Sequence, residues 1–125
     1  MDFIADCLTI LRNAVLAKHS GVVMPTSRIV SRILEVFLDN GFIESVSKTC
    51  EGSMNMVDVK FKKKNPIHSI QRISKLGRRV YVGYKGFPRV LNNMGLVVVS
   101  TSEGIMSTDE ARKRRIGGEL LCSIY

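Results

Sequence analysis

The chain has few of the residues that most catalytic and metal chemistries require. Among its 125 residues there are two histidines, His19 and His68, three cysteines and no tryptophan. Neither histidine stands in a nucleophile elbow or a recognisable triad, so no base is in place to activate a serine. Cys7, Cys50 and Cys122 are odd in number and far apart, which argues against a disulfide framework and a Cys-x-x-Cys metal half-site. They read as free thiols in a reducing compartment. Long apolar runs are also lacking. The run Leu96 to Val99 is far shorter than a membrane span, and the N-terminus has neither a basic start nor a cleavable apolar stretch. No membrane association and no export signal are expected. Walker-type loops and dinucleotide fingerprints do not occur, and the acid pairs Asp2/Asp6 and Asp109/Glu110 suit helix N-termini better than acid–base chemistry. The expectation is a protein that is not an enzyme, with no cofactor, metal or small-molecule substrate.

What the chain has is an uneven distribution of charge. Residues 1–59 hold five Lys/Arg against seven Asp/Glu, a balance of −2, whereas residues 60–125 hold fourteen against four, a balance of +10. A positive field confined to one half points to a polyanionic partner more strongly than a generally basic composition does. With 45% apolar residues the chain can bury one moderate core or two small ones.

Periodicity predicts an α+β fold in two small domains, residues 1–64 and 65–125. In the first, Ile4, Leu8, Leu11 and Val15 recur at helical spacing with Phe3 and Cys7 beside them, predicting a helix from Asp2 to about Lys18. Gly21 to Met24 is a short strand ended by Pro25. Ser27 caps a second helix with the apolar face Ile29, Val30, Ile33, Leu34 and Phe37, which Gly41 ends in a left-handed conformation. Phe42–Thr49 and Met54–Lys62 then form a hairpin around Cys50–Ser53, and Lys62 to Pro66 forms a linker.

The C-terminal domain reads as mostly β, with strands at Ile67–Ser74, Arg79–Val82, Leu96–Thr101 and Glu119–Tyr125, and a helical turn at Pro88–Asn92. Ser107-x-x-Glu110 is a capping box that opens a short helix from Thr108 to Arg115, with Gly117 as its end. Its residues Arg112, Lys113, Arg114 and Arg115 suit either the negative end of that helix or an RNA backbone.

One segment concentrates small polar groups: Ser100-Thr101-Ser102, Gly104 and Met106, then Gly117-Gly118-Glu119. With no base to activate a serine, these groups suit recognition. RNA is read through ribose hydroxyls, unstacked bases and backbone shape, by small donors and acceptors on rigid backbone with cations nearby. Thr101 and Ser102 are candidates for base edges or sugars, and Glu119 for an exocyclic amine or for holding the loop. Tyr81 and Tyr84 are candidates for stacking, although Tyr81 alternates with Val80 and Val82 as a core residue also would. Ser100 equally suits a strand end. The alternative reading is a free-standing module for DNA or another acidic partner, without a helix-turn-helix or zinc motif to support it.

These residues carry a resemblance over nearly the whole length. Ile4-Ala5-Asp6, Leu8-Thr9, Arg12-Asn13-Ala14, Pro25, Ser27, Gly41-Phe42-Ile43, Arg72-Ile73-Ser74-Lys75 and Arg79-Val80-Tyr81 resemble the landmarks of the bacterial-type ribosomal protein eight family of the small subunit. Ser100-Thr101-Ser102, Gly104, Met106, Glu110-Ala111-Arg112 and Gly117 to Cys122 are its most specific part. The resemblance implies a structural protein of the small subunit, in the cytoplasmic ribosome of a bacterium or in an organellar ribosome. It implies binding to a helical element in the central domain of small-subunit ribosomal RNA, a role in early assembly, contact with neighbouring ribosomal proteins and, in some bacteria, binding to its own messenger RNA. It carries an RNA-binding role onto Ser100, Thr101, Ser102, Gly104, Gly118 and Glu119, and onto Arg28 in the first domain. Arg79, Tyr81, Arg89, Lys63 and Lys64 complete the candidate RNA contacts. The chain departs from the family pattern at Leu76, where proline is usual, at Asn93, where glycine is common, and at Ser123, where an aromatic is usual.

Overall fold

A computed structural model describes residues 3–52, 54–88 and 95–125, apart from the side chains of Cys50, Glu51 and Met54. The described chain forms two compact units, Phe3–Ile67 and His68–Tyr125. It is an α+β protein with two sheets. Counted by unit, residues 3–67 carry nine Lys/Arg against six Asp/Glu and residues 68–125 ten against four. Both units are cationic, because Lys60 and Lys62 to Lys64 belong to the first.

The first unit runs α1 (Phe3–Leu16), β1 (Gly21–Pro25), α2 (Arg28–Asp39), β2 (Ser45–Glu51) and β3 (Met54–Lys60). Helix α1 buries Cys7, Leu8, Leu11 and Ala14, while Ile4 and Val15 are half-buried, so its stripe is rotated slightly from the predicted one. It ends before Lys18, which takes a left-handed φ of 59°. Asp2, expected at its start, lies outside the described residues. Helix α2 begins where Ser27 Oγ accepts the Val30 N–H at 3.2 Å, supplying one of the acceptors that a helix start lacks. Val30, Ile33, Leu34 and Phe37 are buried as predicted, but Ile29 is 47% exposed. It lies roughly 100° round the helix from Val30, on the flank of the apolar stripe. Gly41, with φ 81°, follows the helix end as predicted.

Strands of this unit order as β1-β3-β2, all antiparallel. The hairpin ladder extends to the Glu51/Met54 pair, further than the predicted turn at Cys50–Ser53 allowed. Val57, Val59 and Phe61 are buried and alternate with the less buried Asp58 and Lys60, as a sheet with one covered face requires.

The second unit runs β4 (Ile70–Arg72), β5 (Tyr81–Val82), the 3₁₀ turn Tyr84–Gly86, β6 (Leu96–Thr101), β7 (Gly104–Ser107), α3 (Thr108–Arg114) and β8 (Gly118–Ile124). Its sheet orders as β4-β8-β6-β7, with β5 also paired to β8. The predicted strands at Ile67–Ser74 and Arg79–Val82 are shorter in the structure. The register between β6 and β8 shifts at Val98/Val99, and Ile73 and Ser74 reach β8 through separate backbone bonds to Leu121 and Leu120. Strand β7 was not predicted. From Arg89 onward, the expected helical turn at Pro88–Asn92 lies outside the described residues, as does Asn93.

Helix α3 covers one face of this sheet, over a core of Phe87, Val97, Val99, Met106, Ala111 and Leu120. Burying a large aliphatic or aromatic side chain of this kind is worth about 1.5–3 kcal/mol, so this layer fixes where the strand ends sit. Ser107 Oγ accepts the Glu110 N–H at 3.2 Å, as the capping box predicts. The other end differs from expectation: Arg115, not Gly117, takes the left-handed position, with φ 58° and ψ 43°.

Candidate nucleic-acid interface

Strand β6 ends at Ser100-Thr101 and returns through Ser102-Glu103 into β7, with Thr101 paired to Gly104. Thr101 Oγ1 donates to the Gly104 carbonyl at 2.7 Å and accepts the Glu103 N–H at 3.2 Å. That hydroxyl closes the turn. Ser100 and Ser102 differ from it, because among the described residues neither hydroxyl has a hydrogen-bond partner. Ser102 is exposed and Ser100 half-buried. Ser100 is also not the strand end, being paired to both Ile105 and Glu119.

Tyr81, Glu119, Ser100 and Ile105 form one row across β5, β8, β6 and β7. Partners in such a row share a face. Their neighbours Val80, Val82, Leu120, Val99 and Met106 pack on the α3 side, so the row occupies the opposite face. Tyr81 is 69% exposed there, which removes the core alternative for it. Tyr84 is instead half-buried against the core beneath α3.

Arg79 Nη1 donates to Glu119 Oε2 at 3.1 Å. The Glu119 side chain is only 13% exposed and that of Arg79 49%, so the carboxylate anchors the arginine from below and the guanidinium meets solvent. The loop carrying Arg79 is fixed in turn by Ser74, a fully buried hydroxyl that accepts the Val80 N–H at 3.0 Å.

Gly117 and Gly118 are required by packing. A Cβ on Gly117 would lie 2.5 Å from the Val82 carbonyl oxygen, and one on Gly118 would collide with the Ser100 carbonyl oxygen. Only glycine lets β8 lie this close to both neighbours. Gly118 thereby holds Glu119 beside Ser100.

The three cations of α3 and Arg115 at its cap separate into two kinds. Arg112 Nη1 pairs with Asp109 at 2.9 Å and its guanidinium lies 5.9 Å from the Phe87 ring centre; Arg114 Nε pairs with Glu110 at 3.1 Å. Lys113 and Arg115 are exposed and make no ion pair or side-chain hydrogen bond among the described residues.

In the first unit Arg28 is exposed at the start of α2 and borders a groove of about 460 Å³ with Thr26, Ser31, Arg32, Lys48 and Asn55. Sequence reasoning found Arg28 only. Lys48 and Asn55 join it through the β2–β3 pairing, which no local spacing reveals. Lys63 and Lys64 are exposed beyond β3, and Arg89 lies outside the described residues.

Neither described thiol is reactive in character. Burial pushes Cys7 up to about 11, with Asp6 adding to the rise, and Cys122 up to about 12 despite the opposing charge of Arg72. Both are protonated near neutral pH. Among the described residues, no group of three or more His, Cys, Asp or Glu side chains is placed to hold a metal ion.

Hydroxyls with no partner among the described residues, an exposed ring and an anchored arginine thus lie together at one end of the second unit's sheet. Comparison with known proteins gives the family. The family model for ribosomal protein S8 matches residues 2–125. A small ribosomal subunit protein uS8 of Parabacteroides distasonis is 43% identical across 99% of this chain and 98% of its own. The uS8 proteins of Prochlorococcus marinus and Clostridium kluyveri are 44% and 41% identical, each across 99% of this chain and 97% of their own. The chain belongs to the ribosomal protein S8 family, whose members are structural proteins of the ribosome and not enzymes.

Proposed function

We propose that the chain is a structural constituent of the small ribosomal subunit that binds a helical element in the central domain of small-subunit ribosomal RNA and takes part in early assembly. The bacterial relatives favour the cytoplasmic ribosome of a bacterium as its place of work. In this reading neighbouring ribosomal proteins are further partners and its own messenger RNA is a second RNA ligand. The observation that carries this reading is the Tyr81–Glu119–Ser100 row beside Ser102, in which unpartnered hydroxyls adjoin an exposed ring and an anchored guanidinium.

Ser100 and Ser102 hydrogen-bond ribose or base edges, and Tyr81 stacks on an unpaired base. Arg79, held by Glu119, meets a phosphate or a base acceptor. Thr101, Gly104 and Gly118 act through the shape of the loop. Arg28 in its groove, with Lys63, Lys64 and Arg89, adds contacts to the phosphate backbone. About six phosphate contacts would cost about a thousandfold in affinity between 50 and 200 mM salt, by the benchmark for duplex DNA. The test is an electrophoretic titration with a central-domain RNA fragment, challenged by duplex DNA of equal length. Preferential retention of the RNA supports the reading; equal displacement by both competitors favours a general polyanion binder and refutes it.

A further inference from the structure

We infer that Arg115 is a phosphate-contacting residue of the RNA surface, retained in an unfavourable backbone conformation because of that contact. The inference rests on the RNA-binding reading of the same unit. Arg115 has φ 58° and ψ 43° at the C-terminal cap of α3, a region where a Cβ meets the carbonyl oxygen and where glycine or asparagine is the usual occupant. The cap geometry itself is satisfied by backbone: the Arg115 N–H donates to the Arg112 carbonyl at 3.1 Å and the Ile116 N–H to the Ala111 carbonyl at 3.1 Å. Glycine would make the same two bonds without the steric conflict. The fold therefore gives no reason for a side chain here.

Two structural reasons for an arginine can be weighed against the geometry. Helix-end charge is one, but Arg112, Lys113 and Arg114 already occupy the last turn of α3, so a fourth cation adds little to that interaction. An ion pair is the other. Asp109 and Glu110 are engaged by Arg112 and Arg114, and Arg115 has no side-chain partner among the described residues. What remains is an exposed guanidinium on a left-handed backbone position; Lys18 shares that conformation after α1, but only Arg115 leads directly into the Gly118–Glu119 strand end. Arg115 stands three positions before Gly118, so their Cα atoms lie within roughly 11 Å of one another. The chain runs from Arg115 through Ile116 and Gly117 directly into the Gly118–Glu119 end of β8, so its guanidinium suits a phosphate at the edge of that strand end.

The experiment compares the full-length chain with its Arg115→Gly and Arg115→Lys variants, titrating each with the central-domain RNA fragment at several salt concentrations and recording thermal melts. Arg115→Gly is expected to bind about five- to eightfold more weakly at 0.1 M salt, with a salt slope shallower by about one. Its melting temperature is expected to be unchanged or higher, because the left-handed conflict is gone. Arg115→Lys keeps the charge and the backbone conflict, and is expected to bind within about twofold of the parent, with the parent's salt slope. Parental affinity and slope in Arg115→Gly would overturn the inference. So would weaker binding with an unaltered slope, which would place the loss in loop shape. If the parent chain itself shows no preference for the RNA over duplex DNA, the proposed function and this inference fall together; if the parent prefers the RNA but Arg115→Gly binds as the parent does, the inference alone falls.

Discussion

Thr101 and Ser102 stand side by side in sequence, yet they should fail differently when altered. Replacing Thr101 by valine preserves shape and removes a hydroxyl that donates to Gly104 and accepts from Glu103. Each such bond contributes about 0.5–1.5 kcal/mol net. Both are solvent-exposed, and valine's β-branched side chain favours a strand, so the expected loss of stability is near the low end, about 1 kcal/mol. Ser102→Ala removes a hydroxyl with no partner among the described residues, and its stability should stay within about 0.5 kcal/mol of the parent. On RNA the contrast reverses. Ser102→Ala should lose about 0.5–1.5 kcal/mol, or roughly two- to thirteenfold in affinity, with the salt slope unchanged, since no phosphate contact is removed. Urea unfolding gives the stability change from the midpoint at constant slope, and amide exchange at Glu103 reports the turn directly, because that N–H loses its acceptor in Thr101→Val. Unchanged exchange at Glu103 in Thr101→Val, or a destabilised Ser102→Ala, would refute the division of labour between the two hydroxyls.

Two further outcomes follow from packing and burial. Gly118→Ala should destabilise the second unit by about 1–3 kcal/mol, because its Cβ forces β8 away from the Ser100 carbonyl. Gly77→Ala meets open space at an ordinary φ and serves as the control, expected to be neutral or slightly stabilising in the same melts. Cys122 provides a test in alkali. Its thiol rises from an ordinary value of 9.0 to about 12 in the folded chain, so the unfolded chain loses this proton first, and the stabilisation present below pH 9 disappears as pH rises toward 12. Stability of the parent should therefore fall more steeply across that window than that of Cys122→Ala; parallel curves would contradict the burial of the thiol.

Much of the fold was legible because its signals are local. Ser27 and Ser107 cap their helices through bonds to residues three positions on, and Gly41 takes its left-handed turn, all within reach of a short window of sequence. Strand β7 was missed because Gly104-Ile105-Met106-Ser107 is too short to display alternation, and its pairing with β6 is what makes it a strand. The β1–β3 pairing and the register shift at Val98/Val99 are non-local in the same sense. The site was legible as a list of residue types but not as a division of roles. Tyr81 and Tyr84 both looked able to stack, and only the sheet face decides between them: one is exposed beside Glu119, the other packs under α3.

That division suggests how such a surface is assembled. In the second unit several polar side chains near the sheet end are already bound to protein. Thr101 closes its turn, Ser74 fixes the loop before Arg79, Glu119 holds Arg79, and Arg112 and Arg114 pair along their own helix. The Thr101 hydroxyl, which both donates and accepts within its turn, cannot engage a ligand without giving up an internal partner, whereas a guanidinium has five N–H donors and can hold its anchor and a ligand together. Ser100, Ser102, Lys113 and Arg115 have no side-chain partner among the described residues, so on the proposed reading they would engage a ligand at no such loss. On that reading a ligand would meet groups carried on strands, a turn and a helix end that the fold already holds, which would lower the entropy cost of binding. The same arrangement explains why residues that never touch the ligand are as necessary as those that do. A change at Gly118 displaces Ser100 and Glu119 together, and loss of Glu119 leaves Arg79 without the carboxylate that anchors it.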